Sequence, residues 1–405
     1  MSFNVLQLTN SFHPGGSERQ AVQLARLLHE SGRCRVFLAC LDASGALLDE
    51  ARQIGSGEIY EYPLNSFYNL NALKQLRRLA TFLREHEIGV VQTHDFYSNV
   101  FGMLGARLAR VPVRIASKRE TGGMRTPAQR RVELQAFRLA HAVIVNAEAV
   151  GRQLKLDGIS ASKIVTVYNG LDLSRITPPD GWRRERVLAE LGLPVEEPRR
   201  FVTIVANLEH EVKDHRMFLR AARRVHEAVP EAAFVLAGEG RLREPLLELA
   251  AELGLERDVF LIGRCTRIAE LLAVSDACVL SSRAEGFSNS ILEYMAAARA
   301  VVATDVGGAR EALTEGETGF LVQPADDEAM AARLVSLLLD AELARSMGER
   351  GRRVVEQKFS TEAQLQKTLN LYLRLLAQRG ALMDEPLKDA PLKDAPRKSI
   401  EGTGV

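Results

Sequence analysis

With 405 residues, 46% hydrophobic and 26% charged, the chain is too long for one ordinary core and too apolar to be disordered or fibrous. Lys and Arg number 53 against 52 Asp and Glu, so a net charge of +1 gives no global case for a nucleic-acid partner. No apolar run approaches the ~20 residues that span a bilayer, and four cysteines without CxxC spacing argue against a zinc site or a disulfide frame.

The opening, MSFNVLQLTN, lacks the basic-then-apolar pattern of an export signal and reads as a first strand, Phe3–Leu8. Further β-branched runs follow at Arg35–Ala39, Ile88–Thr93, Val113–Ala116, Ala142–Asn146 and Ile164–Tyr168. Amphipathic stretches such as Ser17–His29, Leu70–His86 and Ala147–Asp157 separate them. The pattern breaks at Thr177-Pro178-Pro179-Asp180-Gly181, then restarts with Phe201–Val205, Ala233–Ala237, Val259–Ile262, Ala277–Leu280 and Val301–Thr304. Strands alternating with helices predict α/β architecture: two doubly wound, Rossmann-like domains with parallel sheets covered on both faces. The expected division is residues 1–175, a linker over 176–198, and residues 199–357. Thr361–Arg379 reads as one amphipathic helix with a stripe of Leu365, Leu369, Tyr372, Leu373 and Leu376. Residues 381–405 carry a short proline-punctuated repeat of low apolar content and are expected to be disordered. A cytoplasmic protein is the expectation.

In open α/β sheets ligands bind beyond the carboxyl ends of the strands, so the strand-to-helix junctions carry the interest. The first junction is Ser11-Phe12-His13-Pro14-Gly15-Gly16-Ser17-Glu18, where paired glycines allow close backbone approach and Ser17 can cap the following helix. The richest is Ser281–Glu293, after the strand Ala277–Leu280. A helix starting near Ser288 puts Glu285 on the preceding loop and Glu293 about one and a half turns in. The amides of Phe287, Ser288 and Asn289 then lie at the helix end. Carboxylates suit sugar and ribose hydroxyls, helix-end amides suit phosphate oxygens, and together they describe a sugar nucleotide. Both segments also fit blander readings, an ordinary capped turn and an acidic, solvated helix start. His94, in Gln92-Thr93-His94-Asp95, fits either a cleft-side site residue or a histidine satisfied by backbone groups.

Ser275-Asp276-Ala277, Glu285-Gly286-Phe287 with Glu293 beyond it, Val306-Gly307-Gly308, Glu311 and Thr318-Gly319-Phe320-Leu321-Val322 stand in one order and spacing. This stretch closely resembles the retaining glycosyltransferases of family 4, which have the two-domain GT-B fold. Weaker echoes at Gly15-Gly16-Ser17-Glu18, Asn169-Gly170-Leu171-Asp172, Lys213-Asp214-His215 and Gly238-Glu239-Gly240 extend the resemblance over roughly residues 1–378. The resemblance implies that Glu285 contacts the transferred sugar and Glu293 the ribose. It also implies that the turn at Gly286 and the amides of Phe287, Ser288 and Asn289 meet sugar hydroxyls and diphosphate. Lys213 would neutralise the leaving diphosphate, and the loop with Arg264 and Cys265 would hold the base. Gly16 would approach the diphosphate from the other domain, where His94 and Asp95 would line the acceptor side. Residues 358–380 would cross back to the N-terminal domain.

Two departures bear on the chemistry. Asn207 stands where many members carry a phosphate-binding Arg, and Ser117-Lys118-Arg119-Glu120 stands where many carry a His facing the sugar. Lys118 and Arg119 are the expected substitute cations, with Arg119, Glu285, Lys213 and His94 taken as catalytic. From Arg107 to Arg138, nine basic residues stand against Glu120 and Glu133, with a loop-like part over Thr121–Gln129. That segment suits either an anionic membrane surface or a solvated helix face. The expected activity is transfer from a UDP- or GDP-sugar to a hydroxyl of a glycan, lipid-linked or small-molecule acceptor. It would retain anomeric configuration, need no metal or other cofactor, and serve glycan, polysaccharide or glycolipid synthesis. The alternative is a degenerate, nucleotide-sugar-binding scaffold of the same fold.

Overall fold

A computed structural model describes residues 3–13, 15–64, 66–67, 69–120 and 125–381. The first half runs β1 (Phe3–Thr9), α1 (Gly16–Glu30), β2 (Cys34–Cys40), α2 (Leu48–Ala51) and β3 (Ile59–Glu61). It continues α3 (Leu70–Glu85), β4 (Ile88–Thr93), α4 (Phe96–Leu108), β5 (Val113–Lys118), α5 (Pro127–Leu139), β6 (Ala142–Val145), α6 (Glu148–Leu156) and β7 (Ile164–Thr166). These strands form one seven-stranded parallel sheet in the order β3-β2-β1-β4-β5-β6-β7. Alternating residues of each strand feed opposite faces. Leu6, Leu8 and Val91 pack under α3, α4 and α5 with Phe82, Phe101 and Phe137. Val5, Val36 and Val90 face Val22, Leu24 and Leu28 of α1.

The second half begins with α7 (Arg184–Glu190), β8 (Arg200–Val205), α8 (His215–Ala228), β9 (Ala232–Ala237), α9 (Arg243–Glu252) and β10 (Val259–Gly263). Next come α10 (Ile268–Val274), β11 (Ala277–Leu280), α11 (Asn289–Ala296), β12 (Ala300–Thr304), α12 (Ala309–Ala312) and β13 (Phe320–Val322). The chain then turns through α13 (Asp327–Leu339), α14 (Ala341–Lys358) and α15 (Thr361–Gln378). Six strands pair in parallel in the order β10-β9-β8-β11-β12-β13.

Most predicted strands appear with their ends moved by one or two residues. The three-residue edge strands β3 and β13 are not among the predicted strands. Residues 176–198, expected as a linker, include α7, whose Val187 and Leu188 are buried against Phe201, Ala233 and Leu271. That stretch therefore packs on the second sheet. The loop expected over Thr121–Gln129 is shorter, because Thr126 caps α5 in a reciprocal box with Gln129 and Pro127 opens the helix. Thr121–Met124 and the expected disordered tail beyond Ala381 lie outside the described residues.

The helix α15 lies on the N-terminal domain beside α1 and joins the core that contains Val22 and Leu24. Leu371 and Leu375 share its buried face, which is wider than the predicted stripe. The two chain crossings between domains run side by side, with Leu171 N donating to Phe359 O at 2.8 Å. Gly170 sits at this crossing, where a Cβ would meet Thr361 Cα at 2.9 Å and Gln364 Oε1 at 2.8 Å. Only glycine lets the two strands of chain pass so closely.

Candidate active site

The carboxyl edges of the two sheets face each other. A Cβ on Gly16 would meet Asn289 Nδ2 at 3.9 Å, and one on Gly286 would collide with the Arg119 carbonyl oxygen. The first turn of α1 thus looks at the first turn of α11. Neither helix is capped by its own N-cap side chain, Gly15 for α1 and Ser288 for α11. Among the described helices of thirteen or more residues α1 alone lacks such a cap, whereas α11, with eight residues, shares the lack with α6, α7, α9 and α10. Ser17, predicted as a cap, lies inside the first turn because the helix already starts at Gly16. The Glu18 carboxylate folds back over the first turn of α1 beside Gly15, and the positive dipole ends of both helices face one space, which favours an anion there.

The C-terminal domain supplies a prepared pair beside those ends. Lys213 Nζ lies 2.6 Å from Glu285 Oε1, and Ser282 Oγ donates to the same oxygen at 2.6 Å. The two loops that carry them are knitted together. Ser281 Oγ donates to Lys213 O at 2.7 Å, Arg283 N to Val212 O at 2.8 Å, and Arg283 Nε to Asp214 Oδ2 at 2.7 Å. Asp214, left-handed at φ 45°, caps α8 and fixes the turn that aims Lys213. Glu293, one and a half turns into α11, is half-buried, and burial pushes its carboxyl up to about 7 against the pull of Arg19 and Arg175.

Asn207 is exposed after β8, and its side chain has no hydrogen-bond partner among the described residues. Its backbone is pinned on either side by Ala206 N on Ala237 O (3.0 Å) and Leu208 N on Glu239 O (2.8 Å). Arg264 is exposed on the loop after β10, and Cys265 beside it is half-buried, with burial pushing its thiol up. Phe287 turns its ring inward onto Tyr168 and Phe359, at centroid distances of 5.2 and 5.3 Å. What it can offer the cleft is its backbone.

On the N-terminal side three of the four predicted groups sit differently from the expectation. His94 is 1% exposed and donates Nε2–H to Gln7 Oε1 at 2.6 Å. Burial and the Arg119 charge hold it well below the usual histidine range, so it is neutral. Gln7 in turn bonds Tyr372 of α15 at 3.0 Å, which places His94 in the seam that fastens the C-terminal helix. Asp95 spends its carboxylate as the cap of α4. It accepts from Ser98 N at 3.0 Å, Ser98 Oγ at 2.8 Å and Asn10 N at 2.7 Å. Lys118 turns away from the cleft to Glu133 (2.9 Å) and Glu120 (3.4 Å), because those are the carboxylates within its reach.

Arg119 does point across. Its Nη1 donates to Asn169 Oδ1 at 2.7 Å, and Asn169 Nδ2 donates to Asn289 Oδ1 at 2.7 Å. One hydrogen-bonded chain therefore links the N-terminal cation to the first turn of α11. Burial lowers the guanidinium to about 10, opposed by Glu18, so it keeps its charge at neutral pH.

Sequence reasoning named Asn169 and Glu311 within family motifs without giving them a role, and missed Arg19 and Arg175 as site-shaping groups. Arg19 follows the glycine pair by one helical turn, and that spacing could have flagged it. Glu311 stands in the family motif, but its partners could not be read from sequence. Its carboxylate caps α6 of the other domain, accepting from Glu148 N at 2.6 Å and Ala149 N at 2.8 Å.

Residues 14–175 match the family described as Glycosyltransferase Family 4, and residues 192–354 match Glycosyl transferases group 1. Between them the two matches cover most of the chain. A putative glycosyltransferase EpsD of Bacillus subtilis (strain 168) is 30% identical over 222 residues, 55% of this chain and 55% of that protein. The N-acetyl-alpha-D-glucosaminyl L-malate synthase of Bacillus anthracis is 31% identical over 213 residues, 53% of this chain and 54% of that one. The matched part thus spans about half the length of these relatives. The crystal structure of Anabaena Alr3699/HepE in complex with UDP agrees in fold, with a TM-score of 0.80 at 20% identity, covering 92% of this chain and 100% of that chain. Matched in both halves and built as two facing parallel-sheet domains, the chain belongs to the group 1 glycosyltransferases of family 4 and has their GT-B fold.

Proposed function

We propose that the protein transfers a sugar from a nucleoside diphosphate donor to an acceptor hydroxyl with retention of anomeric configuration. The observation that carries this reading is the pair of uncapped helix ends facing each other beside the Lys213–Glu285 pair. A diphosphate between α1 and α11 would receive amides and dipole charge from both domains, and Lys213 from one. On this reading Glu285 would contact the transferred sugar's hydroxyls and Glu293 the ribose, as the family resemblance implies. The Anabaena neighbours were solved with UDP, with UDP and glucose, and with UDP-glucose, which favours UDP over GDP as the carrier here.

On the acceptor side Asp95 is spent on its helix and His94 is buried, while Glu18 is half-buried at the first turn of α1. On this reading, as the family resemblance implies, the leaving diphosphate is the base. The bond from the anomeric carbon to the diphosphate oxygen breaks, and the bond to the acceptor oxygen forms on the same face. The acceptor proton passes to the departing phosphate. Lys213, the two helix ends, Arg119 and Arg19 stabilise that charge, a task for which cationic side chains serve without a metal ion. Asn207 and the inward-turned Lys118 leave this set short of one cation, which favours the alternative of binding without turnover. Incubation with a panel of UDP- and GDP-sugars, with and without chelator, tests the choice. Release of nucleoside diphosphate that depends on an acceptor supports transfer. Binding to every donor without release on any acceptor supports the degenerate scaffold.

A further inference from the structure

Ten large hydrophobic side chains are exposed among the described residues, and six lie on three neighbouring helices of the N-terminal domain. They are Leu70 and Leu73 on α3, Tyr97, Leu104 and Leu108 on α4, and Val132 on α5, with Leu70 85% and Leu108 54% exposed. These helices already bury their inner faces in the core through Leu79, Phe82, Phe101 and Phe137. The outer leucines are thus additional to what the fold needs.

The same outer face is basic. Lys74, Arg77, Arg84, Arg107, Arg131 and Arg138 are exposed on it, and among the described residues none pairs with a carboxylate. Glu85 is the one acidic side chain exposed on the three helices. On α14, by contrast, Arg345 pairs with Glu342 and Glu349, and Arg352 with Glu356. Of the basic residues between Arg107 and Arg138, Arg125 pairs with Glu120 and Arg130 with Asp157, whereas Arg107, Arg131 and Arg138 remain without a carboxylate partner among the described residues.

We propose that the outer face of α3, α4 and α5 docks on an anionic lipid bilayer. Unpaired Lys and Arg meet the lipid phosphates, and the leucines enter the boundary between headgroups and acyl chains. A nucleic acid would use the cations but gives Leu70 and Leu108 nothing apolar to enter. The helices α3 and α4 start at the carboxyl edge of the sheet, so Leu70 and Tyr97, its ring 6.1 Å from that of Phe67, stand near the cleft rim. Docking there brings the cleft mouth to the bilayer surface. On the transferase reading above, that selects an acceptor carried on a lipid headgroup; the docking itself does not depend on that reading.

The test is sedimentation of the full chain with phosphatidylcholine vesicles, with and without about one-third phosphatidylglycerol. The parent should bind only the anionic vesicles and be released by salt. Lys74→Ala/Arg77→Ala/Arg131→Ala should lower binding on the order of 100-fold. Leu70→Ser/Leu73→Ser/Leu108→Ser should also bind more weakly, with unchanged circular dichroism, while Arg345→Ala/Arg352→Ala should bind like the parent. Failure of the parent to sediment overturns the proposal, as does parental binding by either of the first two variants or equal loss in the third. Retained binding to RNA by the leucine variant together with full vesicle binding would point to a nucleic acid instead and also overturns it. Turnover on a water-soluble acceptor is read separately, so docking and transfer can fail independently.

Discussion

Glu293 gives the cleft its sharpest pH signature. Burial raises its carboxyl to about 7, and Arg19 and Arg175 limit the rise. Ribose hydroxyls donate hydrogen bonds, so they need the ionised form. UDP affinity should therefore climb as pH rises through the neutral range, from about pH 6 to about pH 8. Stability of the free protein should run the other way. The folded state holds this proton more tightly than the unfolded chain, so the contribution is complete at acid pH and is lost as pH rises through about 7. Glu293→Gln should weaken UDP binding and flatten both slopes; calorimetric titration and thermal melts at the two pH values measure them. A parent whose UDP affinity is unchanged over that range contradicts the ribose assignment. Asp95 offers the opposite case. Asp95→Ala removes a helix cap and the partner of Asn10 N, and should lower stability by about 1–2 kcal/mol while sparing turnover per folded molecule. A loss of turnover on the order of 100-fold with unchanged stability would put Asp95 back on the acceptor.

At the scale of elements, one helix depends on the neighbouring domain. The N-cap of α6 is Ala147, which offers no side-chain bond, and Glu311 beyond α11 fills the role. Glu311→Ala should cost about 1 kcal/mol of stability, and Glu311→Gln, which can still accept one bond, should cost less. Equal melting temperatures for all three proteins would show that the cap across the domains contributes nothing.

Most of the strands and long helices were legible in sequence, since buried β-branched runs and 3.6-residue periodicity are local signals. The Ser281–Glu293 junction was legible for the same reason, because a strand, a glycine turn and a helix start follow each other in the chain. The directions of Lys118, His94 and Asp95 were not. Each is decided by partners far along the chain, Glu133 for Lys118, Gln7 and Tyr372 for His94, and Asn10 for Asp95. Residue type fixes what a side chain can bond, and only the fold fixes which partner is nearest.

For the whole molecule the two crossings and α15 determine what counts as a complete fold. Leu369, Tyr372 and Leu376 fill the face of the N-terminal sheet shared with Val22 and Leu28. A chain ending at residue 360 would leave that face open, and several buried apolar side chains at about 1.5–3 kcal/mol each exceed an ordinary domain's margin. Such a truncation should aggregate or melt far below the parent. Removing residues 382–405, whose composition offers little to bury, should leave the melting temperature unchanged. Equal melting curves for both truncations would contradict the role given to α15.

The claim that joins these scales is that Lys213 and the two facing helix ends carry a sugar nucleotide's diphosphate through transfer. The direct measurement is acceptor-dependent release of UDP from a UDP-sugar, parent against Lys213→Ala, with chelator present throughout. The account predicts turnover by the parent, a fall of about 100- to 1,000-fold in kcat for Lys213→Ala, and a product with the donor's anomeric configuration. A parent that turns over only after magnesium or manganese is restored would contradict it, as would a Lys213→Ala protein that keeps the parent's kcat.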